Sequence, residues 1–194
     1  MVTIAGQGFP EGYETVSSVN EGQTFRERQA ALKDGYREDP ASAVQVSVAR
    51  SVTEPGPDPS RIKVAIDGPS GAVIEMGAHP SVGGAPDLPC SGDILMASLA
   101  GCYELTLRLV ASAMGITIHR LDLQVIGEWD ARGTLAVDRE APIGYTSIRI
   151  VVDVACDAQP DQVERLLKSA KRYCVVGTTL ERPPVVEVEA SVSS

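Results

Sequence analysis

Val44, Val46 and Val48 alternate with Gln45, Ser47 and Ala49, the period-two pattern of a strand with one buried face, and predict a strand over residues 43–52. Ile62, Val64 and Ile66 repeat the pattern over Arg61–Ile66, and a third strand is expected over residues 72–76, after the turn residues Asp67-Gly68-Pro69-Ser70-Gly71. Between the first two, Glu54-Pro55-Gly56-Pro57-Asp58-Pro59 holds too much proline for anything but a loop, so this half reads as an antiparallel meander. Ahead of it, good helix formers from Gln23 to Asp39 predict a short polar helix, with Thr24 as its cap and Pro40 as its stop. Residues 1–22 show no period and read as an irregular lead-in.

The period lengthens after the Pro- and Gly-containing loop from His79 to Pro89. A long helix is expected from Ser91, a preferred N-cap, through Asp93 in its first turn to a stop at Gly115. Its apolar stripe reads Leu95, Leu99, Cys102, Thr106, Leu109 and Ala113. Two extended segments follow, Thr117 to Glu128 and Ile148 to Cys156. The second sets Ile148, Ile150, Val152, Val154 and Cys156 on one face, so Cys156 reads as core. A last helix opens at Pro160, with apolar positions Val163, Leu166, Leu167, Ala170 and Tyr173 and with Cys174 close beside that face. Val185 to Val192 alternates as a closing strand. Strands do not alternate regularly with helices, so the class is α+β rather than a doubly wound sheet. The expected division is an arm and short helix over residues 1–42 and one folded domain over 43–194.

Composition narrows the functional classes. Lys and Arg number 17 against 26 Asp and Glu, a formal net charge of −9, which argues against a nucleic-acid partner. Apolar residues at 43% and charged residues at 22% are ordinary globular values. No run approaches the ~18 consecutive apolar residues of a membrane span, and the long helix carries Glu104 and Arg108, so no membrane partner is expected. Met1 to Asn20 lacks the basic start and apolar core of a secretory signal, which predicts a cytoplasmic protein. In a reducing compartment the four cysteines, Cys90, Cys102, Cys156 and Cys174, serve chemistry or packing rather than a disulfide framework. None has a close C-x-x-C partner and the only histidines are His79 and His119, so neither a structural zinc nor any other cofactor is expected.

Cys102 and Cys174 fall on or beside the apolar faces of two different helices, where they read either as small buried hydrophobes or as thiols that meet across a packed core. The run Ser91-Gly92-Asp93-Ile94-Leu95-Met96-Ala97-Ser98-Leu99-Ala100-Gly101-Cys102, continued by Tyr103-Glu104-Leu105-Thr106-Leu107-Arg108, resembles the central-helix cysteine motif of the OsmC/Ohr family. Cys174-Val175-Val176-Gly177-Thr178-Thr179-Leu180 is similar to the family's second cysteine motif, and the order and flanking elements match from about residue 43 to 192. The resemblance implies antiparallel sheets packed on a long central helix in an intertwined homodimer, with two active sites at the subunit interface. It implies thiol-dependent reduction of organic hydroperoxides or hydrogen peroxide, with Cys102 peroxidatic, Cys174 resolving and an external thiol of dithiol or lipoyl type as reductant. The family draws an activating arginine from its N-terminal strand region, held by a Glu ten residues before the first cysteine. Here that position is Gly92, with Asp93 beside it. Arg50 best matches the arginine, and Arg61 competes.

A cation is needed because mid-helix N–H groups are already hydrogen-bonded and cannot stabilise a thiolate at Cys102. Cys90 lies near the start of the same helix, where the macrodipole favours a thiolate, but roughly 18 Å from Cys102 at 1.5 Å per residue. Two other classes compete: an OsmC-like dimer that binds a small apolar ligand with unactivated cysteines, and a metal site assembled from His79, Cys90, Cys102 and Cys174. His79 otherwise reads as a surface loop residue and Glu104 with Arg108 as a surface pair. Trp129 and Tyr145 read as packing residues that could line an apolar pocket.

Overall fold

Thr24 opens helix α1 (Phe25–Glu38) as the expected cap, here completed by Glu27 into a capping box, in a computed structural model that describes residues 24–192. Its hydroxyl accepts the Glu27 N–H at 3.3 Å, and the Glu27 carboxylate accepts the Thr24 N–H at 2.7 Å. The irregular lead-in of residues 1–22 lies outside the described residues. Asp39 ends α1 and caps a 3-10 turn over Pro40–Ala43. The described chain forms two units. One comprises the residues up to Arg50, Ala65–Val73 and those from Val185 onward, and the other Ser51–Val64 and Ile74–Pro184.

The strand expected over 43–52 shrinks to β1 (Ala49–Ser51), which joins β2 (Arg61–Ile66) and β3 (Val73–Gly77) in a three-stranded sheet of order β1-β2-β3. Within the first unit Asp67 donates to the Val48 carbonyl at 2.9 Å and Ile66 to Ala72 at 2.8 Å. Within the second, Val52 donates to Lys63 at 2.9 Å. Val44, Val46 and Val48 are exposed and, like residues 183–192, are assigned no strand. The closing strand expected over Val185–Val192 is therefore corrected, and for the same reason as the shortened β1. Alternation supplies a face to bury, but a strand also needs a continuous neighbour for its N–H and C=O groups, and among the described residues the bond from Asp67 to Val48 is too little to extend β1 back to Val44.

The second unit is built around α2 (Ser91–Met114). Its N-cap is Cys90 and not Ser91: the Cys90 sulfur accepts the Asp93 N–H at 3.4 Å while the Asp93 carboxylate accepts the Cys90 N–H at 2.9 Å. This is a capping box with sulfur in place of hydroxyl. Gly115, at φ 71°, ends the helix in the left-handed conformation. Gly115→Ala is expected to cost about 1 kcal/mol, read as a lower midpoint in thermal unfolding, because a Cβ is strained at that φ.

The buried stripe of α2 is Leu99, Tyr103, Leu107 and Ala111, one position round from the expected one. Leu95, Cys102, Thr106 and Leu109 are half-buried beside it and Ala113 is exposed. The helix is apolar around most of its circumference, and Tyr103 buries its ring while its hydroxyl reaches the Leu167 carbonyl at 3.4 Å, so spacing did not single out the inward face. By length and composition α2 is long and apolar enough to cross a bilayer, but here its stripe is the core of the unit and Glu104 pairs with Arg108 at 2.7 Å as the surface pair expected.

α2 packs on α4 (Pro160–Tyr173) and on β4 (Ile118–Trp129). β4 runs antiparallel to β5 (Tyr145–Cys156), with Leu121 opposite Val154, Leu123 opposite Val152 and Val125 opposite Ile150. Leu121, Leu123, Val125, Ile150, Val152 and Cys156 lie against the core. Their alternation with polar residues is why both strands were readable, and Cys156 packs as expected. The β4–β5 connection contains a short helix, α3 (Ala131–Thr134). On α4, Leu166 and Ala170 are buried, whereas Tyr173 is exposed, a second correction to a helical stripe. A further short helix, α5 (Val175–Glu181), follows without having been anticipated. The fold is α+β, with antiparallel sheets and a long helix.

Candidate active site

Leu166, Ala170 and Cys174 are spaced four residues apart, so Cys174 continues the buried face of α4 beyond its last turn. There it serves two helices: its N–H donates to the Ala170 carbonyl at 3.0 Å, and its sulfur accepts the Gly177 N–H at 3.3 Å as the N-cap of α5. The residue is 1% exposed. Cys102 approaches from α2, half-buried and packed against the same cluster, with its carbonyl accepting the Thr106 hydroxyl at 2.7 Å. All four cysteines are free thiols.

The two cysteines share one core cluster, Cys174 buried within it and Cys102 packed against it. Burial pushes the Cys174 thiol above its ordinary value, the Gly177 N–H pulls the other way, and a hydrogen bond with Cys102 and its charge push it up again. Tyr103 is raised as well, by burial and then by the charge of Cys174. Cys174 therefore favours its protonated form, in the cluster against which Cys102 packs. The structure thus brings together the two cysteines that the sequence singled out. A groove of about 280 Å³ is lined by Leu99, Tyr145, Ile148, Ile150, Gly177 and Leu180 among others; neither cysteine lines it, and Gly177, whose N–H the Cys174 sulfur accepts, connects it to Cys174.

Arg50 belongs to the first unit, where its guanidinium is held by the Asp67 carboxylate, with Nε at 3.1 Å. Arg61 is engaged by Asp87 at 2.8 Å and Asp58 at 3.3 Å. Gly92 is explained by close approach: a Cβ there would stand 2.7 Å from the Tyr145 hydroxyl, so no larger residue fits unless that ring moves. Asp93 caps α2, and its hydrogen bonds with Cys90 hold its carboxyl below the usual range. His79 is more than a loose loop residue. Its Nδ1 accepts the Ser81 N–H at 3.0 Å and its ring meets Trp129 edge-on at 5.2 Å. Trp129 and Tyr145 line cavities, as their placement at strand ends allowed. Cys90 as a cap was missed because cysteine is not a customary N-cap, although Asp93 three residues on was the signal that could have shown it. Among the described residues no group of three or more metal-ligating side chains comes together.

A family model described as OsmC-like protein matches residues 84–189. No curated protein matches the chain. Among solved structures, an OsmC-like protein from Mycoplasma pneumoniae is similar at 18% identity and a TM-score of 0.58, covering 72% of this chain and 89% of its own. An OsmC-like protein of unknown function from Vibrio cholerae has 14% identity and a TM-score of 0.56, over 71% of this chain and 95% of its own. An organic hydroperoxide resistance protein OsmC from Legionella pneumophila has 14% identity and a TM-score of 0.52, over 72% and 92%. At these identities the likeness is one of fold.

Proposed function

The chain belongs to the OsmC-like family, and from that premise we propose that it is a thiol-dependent peroxidase that reduces organic hydroperoxides, or hydrogen peroxide, through Cys102 and Cys174. The observation that carries this reading is the packing of the two cysteines in one core cluster, with Cys174 buried and its thiol pushed up by burial. Attack on the peroxide falls to Cys102. Its thiolate takes the terminal oxygen, the O–O bond breaks, Cys102 becomes a sulfenic acid and the alkoxide leaves as the alcohol after taking a proton. Cys174 then attacks that sulfur; its proton and the sulfenic hydroxyl depart as water, and a disulfide remains. An external dithiol or lipoyl-type thiol returns both residues to the reduced state.

Burial suits Cys174 to the second step, since a protonated thiol does not compete for the peroxide yet supplies the proton that leaves with the hydroxyl. The groove that Leu99, Ile148, Ile150 and Leu180 line, reached from Cys174 through Gly177, suits a hydrocarbon substituent on the hydroperoxide. Arg50, held by Asp67, is the proposed cation for the Cys102 thiolate. The working form is proposed to be an intertwined homodimer, consistent with large apolar side chains left exposed on the second unit, such as Leu105, Val151 and Val175.

The test is peptide mapping after one equivalent of cumene hydroperoxide, paired with continuous peroxide consumption in dithiothreitol or dihydrolipoamide. A Cys102–Cys174 disulfide and sustained turnover are expected. In Cys174→Ser the mapping should instead find sulfenic acid trapped on Cys102. Peroxide that survives unreduced, or a disulfide that omits Cys102, would refute the cycle. Arg50→Met is expected to slow consumption by about 10²-fold while the disulfide still forms, read from the rate at fixed peroxide.

A further inference from the structure

At the N-terminal end of α2 lies a separate cavity of about 350 Å³, and neither Cys102 nor Cys174 lines it. Val82, Trp129 and Ile143 give it apolar walls, and Cys90, His79 and Tyr145 supply its reactive side chains. These come from four places in the chain: the turn before α2, the N-cap of α2, the end of β4 and the beginning of β5.

Cys90 and His79 are held by hydrogen bonds, and the Tyr145 hydroxyl stands over Gly92. The Cys90 sulfur sits against the Asp93 N–H, a donor that stabilises negative charge on sulfur. The tyrosine hydroxyl lies over Gly92 on the same side as that sulfur, since a Cβ built at Gly92 would be 2.7 Å from the hydroxyl and 3.4 Å from Sγ. Burial, then the charges of Cys90 and Asp93, raise the Tyr145 phenol, so it remains a donor. His79 accepts through Nδ1, which leaves the proton of the neutral ring on Nε2, a second donor. No Lys or Arg lines the cavity and Asp93 is adjacent, so an anionic ligand is disfavoured. What fits is a neutral, apolar molecule with a soft electrophilic carbon and one hydrogen-bond-accepting oxygen.

We propose that Cys90 and its cavity form a covalent acceptor site for medium-chain α,β-unsaturated aldehydes and ketones. The Cys90 thiol gives its proton to water, and its sulfur bonds to the β-carbon. The C=C electron pair moves to the carbonyl oxygen, which Tyr145 and His79 hold by hydrogen bonds, and the resulting enolate takes a proton from water at the α-carbon. Nothing is oxidised or reduced. The hydrocarbon tail occupies the space between Val82, Trp129 and Ile143. The site does not depend on the peroxide cycle and is expected to survive in Cys102→Ser.

The experiment exposes the full chain to one equivalent of trans-2-nonenal or of acrolein and follows adducts at each cysteine by peptide mapping, with iodoacetamide as a reagent that needs neither tail nor carbonyl. Cys90 is expected to take nonenal before Cys102, Cys156 or Cys174, and to prefer nonenal over acrolein by about tenfold relative to the same peptide in urea. Ile143→Trp, which fills the cavity, should remove that preference while leaving iodoacetamide labelling of Cys90 unchanged. Tyr145→Phe should slow nonenal addition several-fold without slowing iodoacetamide. Cys90→Ser keeps a good N-cap and should accept no adduct at this position. Equal nonenal and acrolein preference in the folded and unfolded chain, or addition first at another cysteine, would overturn the proposal. The first of these comparisons requires no variant.

Discussion

Replacing Cys102 by serine is expected to lower consumption of cumene hydroperoxide by roughly 10³-fold or more, the scale of loss when a nucleophile is removed outright. Serine is close to isosteric and the position is only half-buried, so the melting temperature should stay near that of the parent and the loss should report chemistry. Cys174→Ser should behave differently. The first turnover proceeds because the attacking sulfur is still present, and later turnovers depend on whether the external thiol can reach the sulfenic acid directly. A stopped-flow burst of one equivalent per site, followed by a slow phase, is the expected trace. If Cys102→Ser consumes peroxide at the parental rate, the thiol cycle is not what this site performs.

The second large effect concerns the frame that holds the sulfurs. Leu107 is fully buried between α2 and its neighbours, and Leu166 faces the same cluster from α4. Leu107→Ala removes contacts that no surrounding group can replace, and is expected to cost about 3 kcal/mol within the range for buried leucines. For a chain of this size that corresponds to a drop of about 6–12 °C in melting temperature, read by calorimetry. Leu166→Ala should cost a similar amount, and the double variant less than the sum, because both residues pack in one core cluster. Thiol pairing should loosen in parallel: Cys174 continues the Leu166–Ala170 face, so a shift of α4 moves its sulfur. Disulfide formation in Leu107→Ala is accordingly expected to be slower even below its melting temperature.

Much of this frame could be read from the residues themselves. Thr24 gave the start of α1, Gly115 gave the end of α2, and the alternation of Ile148, Ile150, Val152 and Val154 gave β5, because caps, left-handed turns and half-buried faces are local demands. The inward face of α2 could not be read in the same way. Its ring of apolar residues permits several stripes, and the choice of Leu99, Tyr103, Leu107 and Ala111 is made by α4 and β4. The valine runs at 44–48 and 185–192 show the converse limit, since strand pairing is a property of two segments and the alternation belongs to one. Of the site, Cys102 and Cys174 stood out through the motifs around them. The capping role of Cys90 had a local signal in Asp93, whereas the cavity beside it depends on Tyr145 and Trp129, which are distant in sequence. Arg50 was chosen by position alone, and its partner Asp67 lies beyond any short-range signal.

Those valine runs bear on solubility. Val44, Val185, Val186, Val188 and Val192 each expose most of their surface in the single chain, and such alternating segments tend to stick edge to edge. What opposes that tendency is the charge of −9, which keeps chains apart at neutral pH and vanishes near the isoelectric point of about 4.7. Mild acidification toward that pH should therefore precipitate the protein well before its core unfolds, and trimming the chain after Pro184 should widen the range of buffers in which it stays clear.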